Sequence, residues 1–240
     1  MSAPEQAVPE ASSNPRGIDV NLRSRPQMLE YEAIADRLAA EVSGPLLDWG
    51  CGWGQVSSLL GERGVEVEGY DYREDEPVHE IALERFPSIR VQVSGEPVAL
   101  PYPDDRFAAV LSCGVLEHVQ DPDASLDELH RILAPGGRLY VYKLPNRRSY
   151  LEAIAKRMGL YYHGALPHDR IYDLDDTRRI LSGHRFRVDE LRLSNMLPLT
   201  LAHPLANRHA ETIWAVNRRL ARVPALNQLA TNVEAVATAV

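Results

Sequence analysis

Residues 45–64, PLLDWGCGWGQVSSLLGERG, decide the fold class. Leu46, Leu47 and Trp49 around Asp48 make a short apolar run. Gly50, Gly52 and Gly54 at alternate positions let the backbone turn sharply, and from Gln55 the spacing becomes helical until Gly64 stops it. Strand, glycine turn and helix follow one another without a gap. A turn lacking Cβ atoms, set at a helix N-terminus, admits a ligand closely and offers N–H donors and a positive dipole end to a carboxylate or phosphate. Asp48 puts a negative charge beside the same turn, which repels a pyrophosphate and attracts an ammonium or sulfonium. The ligand that suits both carries both signs. Two nucleotide motifs fail here: the third glycine of GxGxxG would fall at Gln55, and no GKS or GKT follows the turn.

Outward from this unit, residues 65–70 alternate as a second strand ending at Asp71, a place from which a carboxylate accepts from a ribose diol. Residues 77–86 suit a helix, 89–93 a third strand, 107–112 a fourth, 123–133 a helix, 134–137 (APGG) a turn, and 138–144 a fifth strand. Upstream, 27–42 is an amphipathic helix, and 1–26, rich in Pro, Ser, Glu and Arg, reads as a mobile tail. Downstream come a Tyr-, His- and Arg-rich segment (145–173), a helix at 175–182 and a sixth strand at 186–193. Residues 195–230 read as helical with breaks at Pro198, Pro204 and Pro224, and 232–240 as a seventh strand returning along the sheet. Strands alternating with helices imply an α/β fold, a mostly parallel sheet with helices on both faces and ligands at its carboxyl ends. The expected organisation is a tail, 1–26, and one domain, 27–240, with helical cap insertions at about 145–173 and 195–230.

The 240 residues carry 26 Lys and Arg against 34 Asp and Glu, a net charge of −8, which argues against a nucleic-acid partner; 45% are apolar, enough for a sizeable core. Cys51 and Cys113 lie far apart with no CxxC pattern, against a disulfide framework or structural zinc, and a reducing cytosol fits them best. No apolar run reaches the roughly 18 residues of a membrane-spanning segment.

Four blocks, in order and spacing, resemble the class I S-adenosylmethionine-dependent methyltransferases, particularly their small type 11 bacterial group. They are LLDWGCGWG (46–54), EGYD (68–71), EPVALPYPDDRFAAVLSCGVLEHVQDP (96–122) and LHRILAPGGRLYVYKLPN (129–146). The resemblance implies a Rossmann-like seven-stranded sheet with S-adenosylmethionine as cofactor. It places Asp48 and the Gly50-Cys51-Gly52 turn around the methionine end, Asp71 on the ribose, Tyr72 on the adenine, Glu96 at its amino group and the Cys113 main chain at the methionine ammonium. Pro97 departs from the pattern, since proline has no N–H to offer the adenine ring. Related ubiquinone-pathway O-methyltransferases use an acidic cluster with a Glu-His pair to hold a divalent metal. Here only Glu117 and His118 match, Cys113 and Gly114 supply no carboxylate, and no metal is expected.

Methyl transfer from a sulfonium needs mainly an in-line, desolvated approach of the acceptor, and a hydroxyl acceptor also needs a base, most readily a histidine. His118 lies at the mouth of the fourth strand, and His163 and His168 in the first cap segment. Of these two, His168 is preferred because Asp169 would set its charge. The bland alternatives are a pocket-wall role for His118 and solvated loop positions for the other two. Oxygen is the expected acceptor atom, on a small or medium-sized secondary metabolite, quinone-like compound or glycan or lipid precursor; the alternatives are N- or C-methylation, or cofactor binding without transfer. Arg23, Arg25 or Tyr31 is a candidate to close over the cofactor carboxylate, with ordinary exposed surface charge the favoured alternative; Trp53 is a candidate to line its site, and Tyr161 and Tyr162 to cushion a substrate or, alternatively, to pack the cap. The stripe Ile213, Trp214, Val216, Leu220 and Val223 with Arg218, Arg219 and Arg222 suits a cap helix or, alternatively, peripheral contact with a lipid surface. Asp173, Asp175 and Asp176 read as a helix start and lack the spacing of a calcium loop.

Overall fold

The computed structural model describes residues 24–72, 90–159, 169–200 and 203–240. Helix α1 (Arg25–Glu41) has Pro26 in its first turn, where the missing N–H costs nothing, and buries Met28, Tyr31, Ile34, Ala35 and Leu38. β1 (Leu46–Trp49) is buried at every position, as a central strand covered on both faces must be. The glycine turn leads into α2 (Gln55–Glu62). β2 (Val67–Asp71) and β3 (Arg90–Val93) extend the sheet on one side of β1, and β4 (Phe107–Cys113) lies on the other, all parallel. α3 (Pro122–Ile132) starts at Asp121, whose side chain accepts from the Ala124 N–H at 3.0 Å, and it runs directly into β5 (Leu133–Pro145). The chain continues through α4 (Tyr150–Arg157), α5 (Leu174–Gly183), β6 (Phe186–Ser194), α6 (Pro204–Arg208), α7 (Ala210–Leu220), a 3-10 turn (Asn227–Leu229) and β7 (Asn232–Ala239).

The sheet order is β3-β2-β1-β4-β5-β7-β6, with β7 antiparallel to both of its neighbours. This is the expected seven-stranded, mostly parallel architecture. Its two apolar layers are distinct. One joins α1 and α2 to Leu46, Ala109, Leu111 and Tyr140; the other joins α3 and α5, through Leu126, Leu129 and Leu181, to Leu47, Val110, Leu139 and Phe186. The expected turn at 134–137 is absorbed into β5: Leu133 faces Phe107, Arg138 faces Ala109, and the register shifts between them. The aspartate run is a helix start, a reciprocal capping box in which Asp173 accepts from the Asp176 N–H at 2.8 Å. The bulk of the expected tail, the helix at 77–86, Arg23, Tyr161, Tyr162, His163 and His168 lie outside the described residues. No helix among the described residues is long and apolar enough to cross a membrane.

α5 is fastened to α3 by His184, whose Nε2 and Nδ1 each lie 2.9 Å from a carboxylate, of Asp123 and Asp127. Partial burial pulls the imidazole's affinity for a proton down, but the two aspartates outweigh it and hold the pKa above the ordinary value. A raised histidine pKa contributes stability that is complete below the unfolded value of about 6.5 and is lost as pH rises through the folded value. The melting temperature is therefore expected to fall as pH rises above about 6.5, with a shallower fall in His184→Gln, measured by thermal denaturation against pH. Parallel profiles for the two proteins would contradict the assignment.

Candidate active site at the carboxyl ends of the central strands

Gly50, Gly52 and Gly54 all take left-handed backbone angles, φ +74°, +51° and +77°. A Cβ on Gly50 would stand 2.4 Å from Cγ2 of Val115, so the turn is pressed against the loop that leaves β4, whereas nothing lies within 4 Å of such an atom on Gly52. The N–H groups of Gly50 and Cys51 donate to the Tyr70 carbonyl at 2.8 and 2.9 Å, that of Gly54 to the Cys51 carbonyl at 2.9 Å, and that of Gly52 to Asp71 Oδ2 at 2.7 Å. These four donors, which the sequence offers to an anion, are used within the turn. The turn thus supplies a shape and little of a phosphate cradle. Cys51 is buried, its sulfur side by side with Gly69.

Asp71 stands at the end of β2, its second oxygen accepting from the Tyr72 N–H at 2.8 Å. Each carboxylate oxygen thus holds one backbone donor and keeps a further lone pair for a ligand hydroxyl. Tyr72 beyond it is 39% exposed, a ring open for stacking. Glu96 and Pro97 are exposed, and the Glu96 backbone is fixed by the Tyr70 hydroxyl on its carbonyl (3.3 Å) and by Ser94 Oγ on its N–H (3.1 Å). Asp48 is 2% exposed and accepts from the Ser57 hydroxyl at 2.6 Å, pinning the first turn of α2 to β1. Burial, with Asp71 adding to it and Ser57 opposing, pushes the Asp48 carboxyl up to about 6. A cation bound beside this pair of aspartates would stabilise both carboxylates.

The loop that leaves β4 carries His118, whose N–H donates to the Val115 carbonyl at 2.9 Å, one tight turn from the residue that meets Gly50. His118 Nδ1 lies 2.9 Å from Asp169 Oδ1, and Nε2 lies 3.8 Å from Glu117 Oε1. Asp169, which the sequence suggests for the neighbouring His168, thus meets His118, and His168 itself lies outside the described residues. Arg170 delivers it: its N–H donates to the Glu117 carbonyl (2.9 Å) and its guanidinium to the carbonyls of Val119 (2.5 Å) and Gln120 (3.0 Å). A carboxylate only accepts, so the ring is oriented with Nδ1 toward Asp169, while Nε2 faces Glu117.

Sequence reasoning did not single out Lys143, the one charged side chain in LYVYKLP. It sits at a break in the β5–β7 register with φ +62°, a left-handed angle that directs its side chain onto the α1 layer. Its Nζ lies 3.6 Å from Glu30 Oε2 and 3.4 Å from the Tyr31 hydroxyl, over the Tyr31 ring. Burial alone would lower the ammonium's pKa, but Tyr31, Glu30 and Cys113 beside it raise it overall. Glu30 also accepts from Asn195 Nδ2; Asn195 in turn accepts from Asn217 Nδ2 at 2.9 Å, and Asn217 Oδ1 takes the N–H groups of Met196 and Leu197. One buried polar chain thus joins the end of β5, beside Cys113, to α1 and α7. Tyr31 belongs to this chain, receiving from Gln27 Nε2 at 2.9 Å, while Arg25 pairs with Glu32 at the surface.

The methyltransferase domain family matches residues 24–191. The demethylmenaquinone methyltransferase of Thermus thermophilus is 34% identical over 134 residues, 54% of this chain and 56% of that protein. The ubiquinone biosynthesis O-methyltransferase of Pseudomonas paraeruginosa is 32% identical over 124 residues, 50% of this chain and 53% of that protein. The chain thus spans little more than half the length of these curated relatives. Among solved structures, a SAM-dependent methyltransferase from Thermotoga maritima superposes with a TM-score of 0.62 at 20% identity, covering 90% of this chain and 91% of that one. With its strand order, its glycine turn and a match over residues 24–191, the chain belongs to the methyltransferase domain family, in the class I form that uses S-adenosylmethionine.

Proposed function

We propose that this chain moves a methyl group from S-adenosylmethionine to the oxygen of a small or medium-sized acceptor, a hydroxyl on a quinone-like compound, secondary metabolite or glycan or lipid precursor. The observation that carries the oxygen assignment is the His118–Asp169 pair, an oriented base on the loop that packs against the cofactor turn. The bound cofactor supplies an electrophilic methyl group on a sulfonium. The chain's residues then have three tasks. Asp71 accepts from the ribose hydroxyls while Tyr72 covers the adenine; Asp48, the Gly50-Cys51-Gly52 turn and the Cys113 main chain surround the amino-acid tail, with its two charges; and His118 Nε2 takes the acceptor's proton. Glu96 and Pro97 border the adenine end, where Pro97 gives no donor. Segments 145–173 and 195–230 serve as the cap that excludes water from the acceptor. The name of the Pseudomonas relative, an O-methyltransferase, agrees with oxygen; that of the Thermus relative, acting in menaquinone chemistry, keeps the quinone-like acceptor in view.

The test combines binding with transfer. Calorimetry should show S-adenosylhomocysteine binding to the parent chain and a Kd roughly 10- to 200-fold higher in Asp71→Ala, the worth of a charge-assisted hydrogen bond. Cofactor labelled in its methyl group, supplied with catechols, amines and activated carbon acids, should then label the catechols. Equal affinity in the Asp71 variant removes the ribose role, and label appearing only on nitrogen or carbon removes the hydroxyl acceptor.

A further inference from the structure

Between α1, α7 and the β6–β7 end of the sheet lies a cavity of about 540 Å³, within the range of roughly 300–1,000 Å³ typical of small-molecule sites. Its lining includes Glu30, the ion-pair partner of Lys143, but no residue of the glycine turn, nor Asp71, Cys113 or His118. Much of the wall is apolar, from Ile34 of α1, Leu191 and Leu193 of β6 and Trp214 of α7.

Four arginines also line it, in two kinds. Arg37 is neutralised by Glu41 and Glu190, each at 2.7 Å, and Arg192 by Glu234 at 2.7 Å. Arg218 and Arg222 stand four residues apart, on and just beyond α7, with no carboxylate partner among the described residues; Arg218 lies over the Trp214 ring at 5.9 Å. The stripe of α7 that suits a lipid surface by sequence therefore turns part of its arginine and tryptophan content toward a half-open pocket, with Arg218 and Arg222 themselves exposed. A second observation comes from β5. Tyr142 lines the cavity, is 3% exposed and stands beside Arg37, whose charge and hydrogen bond oppose the rise that burial imposes on its phenol. The buried Ser194 Oγ has no hydrogen-bond partner among the described residues, a costly condition for a buried hydroxyl.

We propose that this cavity is a second ligand site, for an organic anion with an apolar body. Arg218 and Arg222 hold its carboxylate or phosphate head, and Trp214, Ile34 and Leu193 line its chain or ring. An apolar wall under two uncommitted cations fits that ligand better than a neutral lipid tail or an inorganic ion.

The test is calorimetry on the full chain with octanoate, octyl phosphate and octanol, with and without S-adenosylhomocysteine. One-to-one binding of an octyl anion is expected, at least roughly tenfold tighter than octanol and unaffected by S-adenosylhomocysteine, and the tighter of the two heads names the source. Arg218→Gln with Arg222→Gln should abolish the preference for the anion. The proposal falls if octanol binds as tightly as octanoate, if the double arginine variant keeps its anion affinity, or if S-adenosylhomocysteine competes. It falls equally if the chain binds phosphatidylglycerol vesicles and no single octyl anion.

Discussion

Replacing His118 by alanine is expected to lower turnover by roughly 10²–10⁴-fold while cofactor affinity stays within about twofold of the parent. The split follows from where the residue sits. His118 is held by the loop beyond β4 and by Asp169, and neither contact belongs to the glycine turn or to Asp71. Its loss leaves the cofactor's surroundings in place and removes the group that would take the acceptor's proton. Asp169→Asn should cost part of the same factor, because an amide in its place no longer fixes the proton on Nδ1, so Nε2 ceases to be reliably basic. Single-turnover transfer of a labelled methyl group measures the chemical step, and added imidazole should restore part of the rate in His118→Ala but not in Asp169→Asn. An unchanged single-turnover rate in His118→Ala would leave the imidazole a wall of the pocket.

Lys143→Met should destabilise the fold by about 3–5 kcal/mol, the cost of stranding one member of a buried ion pair, or on the order of 6–20 °C in Tm for a chain of this length. Glu30 is the member left behind: it is 4% exposed and keeps the Asn195 amide as a partner but loses its cation. Glu30→Leu alone should be comparably damaging, since it strands the ammonium instead. Joining the two substitutions should recover much of the loss, because no uncompensated charge then remains buried. Urea denaturation of the parent, both single variants and the double variant gives the coupling directly. Additive losses would show that the ion pair is not what the two residues share.

Much of this molecule follows from local spacing. PLLDWGCGWG gives β1 and its turn because apolar alternation and glycine placement are properties of neighbouring residues, and Asp71 falls at the end of β2 for the same reason. α1, α3 and α5 begin where proline or aspartate stands in the first turn or cap, at Pro26, Asp121 and Asp173. What the sequence hides depends on partners far along the chain. Asp169 reaches His118 because Arg170 binds carbonyls about fifty positions earlier, a contact that proximity in sequence does not point to. Lys143 turns inward at an irregularity in strand pairing, which no periodicity announces, although a lone lysine within an apolar strand is a signal in itself. The donors of the glycine turn are consumed by Tyr70, Cys51 and Asp71, and motif spacing alone does not reveal that.

The position of β7 has a consequence for biosynthesis. Because Asn232–Ala239 inserts between β5 and β6, Arg138 must wait for Thr238, and β6 has no neighbour in the sheet until then. Until β7 has been made, the nascent chain exposes the unpaired flank of β5, a template for mispairing with other chains. Shielding of that flank during translation should govern how much protein is recovered.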